Sequence, residues 1–312
     1  MKNPLTFYDA ITENKRKTWI IISLIILLLF FVFYAIISFF ELGKFAIILA
    51  LFITLGMNYY AYKNSDKLIL YISGAREPKK EEYPYLINIV EGLSIAAGIP
   101  TPRVYIIDDP SPNAFATGKD PQNSVIAVTT GLLEKANRLE LEGVIAHEIS
   151  HIKNYDVRLQ TIAVIMVGLI VILGESLRRY AYYGSFYNER RKDKEESIVG
   201  IVSLIIAILA PFLATLLRFA LSRQREYMAD ATSAMLTRYP EGLASALEKI
   251  AKDPTPVKRA NRMTAPLYIA DPLKKSYKDT LFSTHPPIEE RIRRLRMMGE
   301  RWKLLEEVTT DL

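Results

Sequence analysis

The chain has 312 residues, half of them hydrophobic, a formal net charge of +6 and three histidines. That length allows one large domain or two modest ones with a sizeable core. The absence of cysteine excludes a disulfide framework, cysteine-ligated zinc and iron–sulfur clusters, so any metal must be held by His, Asp or Glu. Basic residues are dispersed among acidic ones and no nucleic-acid motif accompanies them, which argues against a nucleic-acid partner.

Residues 1–18 read as an N-terminal segment ending in Lys15, Arg16 and Lys17. Residues 19–40, WIIISLIILLLFFVFYAIISFF, carry no charge and as a helix would extend about 33 Å, enough to cross a bilayer. The run is too long for a signal-peptide core, and no small-residue cleavage site follows it. A second apolar run over 45–62 begins after only ELGK, so 19–62 reads as a transmembrane hairpin. Trp19 and Tyr59, Tyr60 and Tyr62 suit its interfaces. Lys63, Lys67, Arg76, Lys79 and Lys80 follow the hairpin, whereas its turn carries only Lys44. The positive-inside rule therefore places the N-terminus and the chain after Tyr62 in the cytoplasm.

Residues 63–158 form the first part of the polar domain. EYPYLINIVEGLSIAAGIP reads as a helix ended by Gly98 and Pro100. Short strands follow at 103–108, 113–118 and 124–130, divided by the turn signals DPSPN and KDPQN. The next helix carries VIAHEISHI, residues 144–152.

Residues 159–220 read as a second apolar hairpin, with runs at 161–174 and 198–217 and a charged connection between them. The first run is borderline in length and could equally be a re-entrant or protein-covered helix. Arg178, Arg179, Arg190, Arg191, Lys192 and Lys194 in the connection are disfavoured for an outside loop. A spanning hairpin is still the preferred reading, because lipid is the simplest cover for so much apolar surface. Residues 221–312 complete the polar domain with SRQREYMADA, a helix near EGLASALEKIAK, an irregular linker around RMTAPLYIADP, and a basic helix containing RIRRLRMM. In that last helix Ile288, Ile292 and Leu295 recur at helical spacing, so the arginines read as a solvated face.

On a helix His147 and His151 share one face and can grip a single ion, with Glu148 projecting beside it. A hydrolytic zinc site needs three protein ligands, an open position and a base. Two ligands and a base are legible here; the third ligand is not fixed by spacing. His285 is the only other histidine, and carboxylates such as Glu226 and Asp230 are abundant.

PNAFATG, VIAHEISHI, SRQREYMADA and STHPP occur in that order, with a leading hydrophobic hairpin and another between the zinc motifs. In this the chain resembles the HtpX-type membrane zinc metalloproteases, relatives of the CAAX-prenyl endopeptidase Ste24 and of the mitochondrial protease OMA1. The resemblance implies a mainly α integral membrane protein in which a zincin (gluzincin) α+β protease domain with a small sheet is combined with two helical hairpins. It implies one Zn2+ per chain held by His147, His151 and Glu226, with Glu148 polarising the attacking water. Asp230 would orient a ligand histidine, and His285 would donate to the developing oxyanion. The strand with Asn113, Ala114 and Phe115 would receive an extended substrate. The expected function is endoproteolysis of unfolded or membrane-associated polypeptides at a cytoplasmic site of a multi-pass cell-membrane protein, in quality control and stress response. The alternative is a zinc-containing membrane scaffold without protease activity. Oligomeric state and natural substrates are not legible.

Overall fold

The structure is a computed structural model and describes residues 7–38, 43–79, 81–165, 223–261, 263–274 and 286–310, with the isolated positions 168 and 179. By internal contact the chain divides into two units. One comprises Met1–Lys15, Asp66–Thr161 and Leu221–Leu312; the other comprises Arg16–Ser65 and Ile162–Ala220.

In the second unit the described elements are most of helix α1 (Phe7–Ser38) and helix α2 (Phe45–Lys63). On α2 the small or polar Ala46, Ala50, Thr54 and Asn58 recur every four residues and are buried, while Phe45, Ile48, Phe52 and Tyr59 are exposed. The small residues thus line the covered face of α2 and the aromatics its open face. Within α1 the described apolar stretch is Ile22–Tyr34, too short by itself to cross a membrane. Among the described residues no single helix is long and apolar enough; Phe45–Tyr60 taken together with Ser65–Ser73 is so by length and composition. The second hairpin and its charged connection lie almost wholly outside the described residues.

The first unit is built on a four-stranded sheet of order β1-β2-β4-β3. Helix α3 (Ser65–Ser73) leads into β1 (Ala75–Arg76), which pairs antiparallel with β2 (Arg103–Ile107). Between them lies α4 (Pro84–Ala97), started by Pro84 and closed by Gly98 at φ 69°. Strand β3 (Ala114–Gly118) is outermost and antiparallel to β4 (Ser124–Thr129), which runs parallel to β2. Thr129 caps the short α5 (Thr130–Lys135).

The motif helix α6 (Arg138–Lys153) opens on a capping box: Asn137 Oδ1 accepts from Glu140 N at 3.0 Å and Glu140 Oε2 from Asn137 N at 2.7 Å. Nearly every residue of α6 from Glu140 to Ile152 is buried, so it is the central helix of the core rather than an amphipathic cover. After a break at Asn154–Tyr155, helix α7 covers 156–165. Helices α8 (Arg223–Thr237), α9 (Pro240–Lys252) and α10 (Ile288–Thr310) complete the unit. Glycine sets the approach of α9 to α6. A Cβ on Gly143 would lie 2.6 Å from Leu243 N, and one on Gly242 would lie 2.5 Å from Leu139 O. Leu86, Val90, Ile126, Val144, Ile145, Leu247 and Leu295 share one core.

Within residues 263–274 the linker between α9 and α10 is not irregular throughout. It holds a 3-10 turn, Ala265–Leu267, followed by a β-bridge between Tyr268 and Phe115.

Candidate metal centre

The helical spacing of His147 and His151 brings their Nε2 atoms to 3.2 Å. From α8, Glu226 places Oε1 3.4 Å from His151 Nε2 and Oε2 3.8 Å from His147 Nε2. Among the described residues these three form the cluster of donors able to hold a metal ion, and all are buried. A tetrahedral zinc bonded at roughly 2.0–2.1 Å would set its ligand atoms about 3.3–3.4 Å apart, close to the separations found.

Each imidazole is held through its other nitrogen. His147 Nδ1 lies 3.0 Å from Asp230 Oδ1, one turn after Glu226 on α8. His151 Nδ1 lies 3.2 Å from Asp156 Oδ2, at the start of α7. Both contacts leave Nε2 free to ligate. Asp156 reaches His151 because the chain turns at Tyr155, which takes φ 61°, a left-handed conformation uncommon for a bulky residue.

Two buried guanidiniums complete the shell. Arg291, on the first turn of α10, donates from Nε and Nη2 to Asp230 at 2.9 and 2.7 Å, and from Nη1 to Ile269 O at 2.7 Å. Arg225 lies 3.5 Å from Asp156 Oδ1. Around the ligands, Glu148, Asp156, Glu226 and Asp230 are buried carboxylates and Arg225 and Arg291 buried guanidiniums. With neutral imidazoles this leaves a formal deficit of two positive charges, which a dication would supply.

Protonation follows the same geometry. Burial, with Arg291 nearby, pushes His147 down to about 4, so it is neutral at pH 7. Burial opposes charge on His151 too, but Asp156 and Glu226 outweigh it and push the imidazole up to about 10. Glu148 is pushed up to about 7 by burial, with His151 opposing the shift and Glu226 adding to it. For Asp230, Arg291 overrides the effect of burial and holds the carboxyl below its ordinary range.

The structure thus brings together His147, Glu148, His151, Glu226 and Asp230. Strand β3, with Ala114 and Phe115, packs against α6, and Asn113 immediately precedes it. His285 lies outside the described residues. Sequence reasoning missed Asp156, Arg225 and Arg291. The arginines of α10 are not one solvated face: Arg293, Arg294 and Arg296 are exposed and paired with glutamates, whereas Arg291 is buried. Arg291 stands three residues after Ile288 and four before Leu295, on the apolar stripe, and that register was the available signal.

A central helix with HExxH, a glutamate from a second helix and carboxylates behind both histidines define a metallopeptidase centre. Comparison with known proteins agrees. Residues 80–298 match the model of Peptidase family M48. The chain is 73% identical over 304 residues to the Protease HtpX homolog of Dictyoglomus turgidum, covering 97% of this chain and 99% of that one. It is 48% identical over 297 residues to the Protease HtpX homolog of Caldanaerobacter subterraneus subsp. tengcongensis, covering 94% and 98%. A solved structure of S. mikatae Ste24p is similar at a TM-score of 0.47 and 20% identity, over 85% of this chain and 62% of that one. The chain belongs to peptidase family M48.

Proposed function

We propose that this M48 peptidase is an integral membrane zinc endopeptidase acting on unfolded or membrane-associated polypeptides from the cytoplasmic side. The observation that carries the reading is the close grouping of His147 Nε2, His151 Nε2 and Glu226, with Glu148 buried beside them and not among the ligands. Zinc held there would supply a Lewis acid that polarises the scissile carbonyl and acidifies water.

The chain's own groups do the rest. Glu148 takes a proton from the water that attacks the carbonyl carbon, then returns it to the amide nitrogen as the C–N bond breaks. Asp230 and Asp156 keep Nε2 of each histidine free. His285 keeps its proposed role as donor to the oxyanion.

Substrate main chain would add along β3, because among the described residues no strand of the sheet pairs with its outer edge. Residues 268–270 illustrate the pairing that edge accepts. Ile269 N donates to Ala114 O at 2.9 Å and Asn113 Nδ2 donates to Ala270 O at 3.1 Å. A polypeptide using Asn113 and Ala114 must take these residues' place. The basic flanks of 19–62 support the cytoplasmic placement, and the bare aromatics of α2 support membrane insertion. A role in membrane-protein quality control is consistent with a groove that reads main chain rather than side chains.

The test is cleavage of an unfolded protein by the purified full chain in detergent, before and after chelation and with zinc restored. Loss with chelator and recovery with zinc are expected. Cleavage indifferent to chelation contradicts the reading, and a zinc-loaded chain that never cleaves would return the scaffold alternative.

A further inference from the structure

Arg291 is the largest side chain in the described structure that is almost completely buried. A buried guanidinium persists only where its donors are paired, and nearly all its neighbours belong to the metal centre. Nε and Nη2 clasp both oxygens of Asp230, at 2.9 and 2.7 Å. Nη2 lies 3.5 and 3.4 Å from the two ring nitrogens of His147, so it rests against the ring rather than at either nitrogen. Nη1 lies 3.6 Å from Glu226 Oε2 and donates to Ile269 O at 2.7 Å.

The plainer alternative is a structural ion pair tying α10 to α8. Two features speak against it. Asp230 Oδ1 accepts from Arg291 and also meets His147 Nδ1. The other Asp230 oxygen is fixed by the same guanidinium. Rotation of the carboxylate is thereby blocked, and the orientation of the His147 ring depends on that block. A lysine could not do this, since a single ammonium cannot span both carboxylate oxygens and a carbonyl in one plane.

We infer that Arg291 is a positioning residue for the metal ligand His147, acting through Asp230. This rests on the proposed zinc site. It makes the affinity for zinc depend on a residue of α10 that does not touch the ion.

The test uses the full chain in detergent, stripped of metal and titrated with Zn2+ against a chromophoric chelator. Variants are Arg291→Gln, Arg291→Lys, Asp230→Asn and the double Asp230→Asn/Arg291→Gln. Arg291→Gln and Asp230→Asn are each expected to weaken zinc binding by about 10–100-fold, the usual range for partners behind a ligand. The double variant should bind no more weakly than Asp230→Asn alone, because the two residues act in series. Arg291→Lys should fall between wild type and Arg291→Gln. The visible bands of the Co2+-loaded Arg291→Gln protein should match those of Asp230→Asn. If Arg291→Gln fails to fold, Asp230→Asn and the double variant, in which the lost charges balance, still provide the comparison, and equal affinity is expected. Unchanged zinc affinity in Arg291→Gln overturns the inference, as does a double variant weakened by the product of both single effects. A wild-type chain that binds no zinc overturns the zinc reading and this inference with it, which separates the two failures.

Discussion

Asp156 sits five residues beyond His151, across a break in the helix, and meets its Nδ1 at 3.2 Å. The contact exists because Tyr155 turns the chain through φ 61° and sends α7 off from α6 with Asp156 at its start. Asp156→Asn, which keeps a polar partner beside buried Arg225, should therefore weaken zinc binding by about 10–100-fold. Chelator competition measures it, and an affinity equal to wild type would mean that the ring needs no such support.

Zinc binding should release a proton. Metal-free His151 is pushed up to about 10 by Asp156 and Glu226, so at pH 8 it holds a proton that a ligand cannot keep. His147, pushed down to about 4, contributes none at that pH. Glu148, pushed up to about 7, is mostly ionised there. Affinity should accordingly rise with pH from 7 towards about 10. Calorimetry at pH 8 in buffers of different ionisation enthalpy counts the protons; none released would contradict this account of His151.

Gly143→Ala should destabilise the domain. The added Cβ would meet Leu243 N at 2.6 Å, a backbone atom that cannot swing aside. Overpacking of this kind costs about 1–3 kcal/mol and lowers the thermal midpoint. A midpoint equal to wild type would show that α6 and α9 part freely.

What the sequence disclosed and what it withheld divide along the range of the interactions. The strand read at 113–118, found as Ala114–Gly118, and the i,i+4 histidines on α6 are local patterns, and each appears where periodicity and turn residues place it. Glu226 and Asp230 have the same spacing, but nothing local separates them from surface charges; the buried face of α8 does so only in the fold. Asp156 depends on one left-handed residue with no glycine to announce it. The bridge of Tyr268 to Phe115 joins segments more than 150 residues apart, and YIA carries too few residues to read as a strand.

Ile269→Pro should ease access to β3. It removes the N–H that donates to Ala114 O, and Tyr268, at φ −70° and ψ 149°, already has the extended conformation favoured before proline. If substrate takes the place of residues 268–270, KM for an unfolded substrate should fall several-fold with kcat little changed. An unchanged or higher KM in a folded, zinc-loaded variant would show that substrate pairs elsewhere.

The most direct test is Glu148→Gln, measured for zinc content and for cleavage of an unfolded protein. Glu148 is buried on α6, next in the chain to the ligand His147. An amide there cannot accept the water's proton, and loss of a general base costs about 10²–10⁴-fold in rate. One zinc per chain with turnover reduced by at least about a hundredfold is the predicted result; turnover near that of wild type would contradict the assignment of Glu148 as the base.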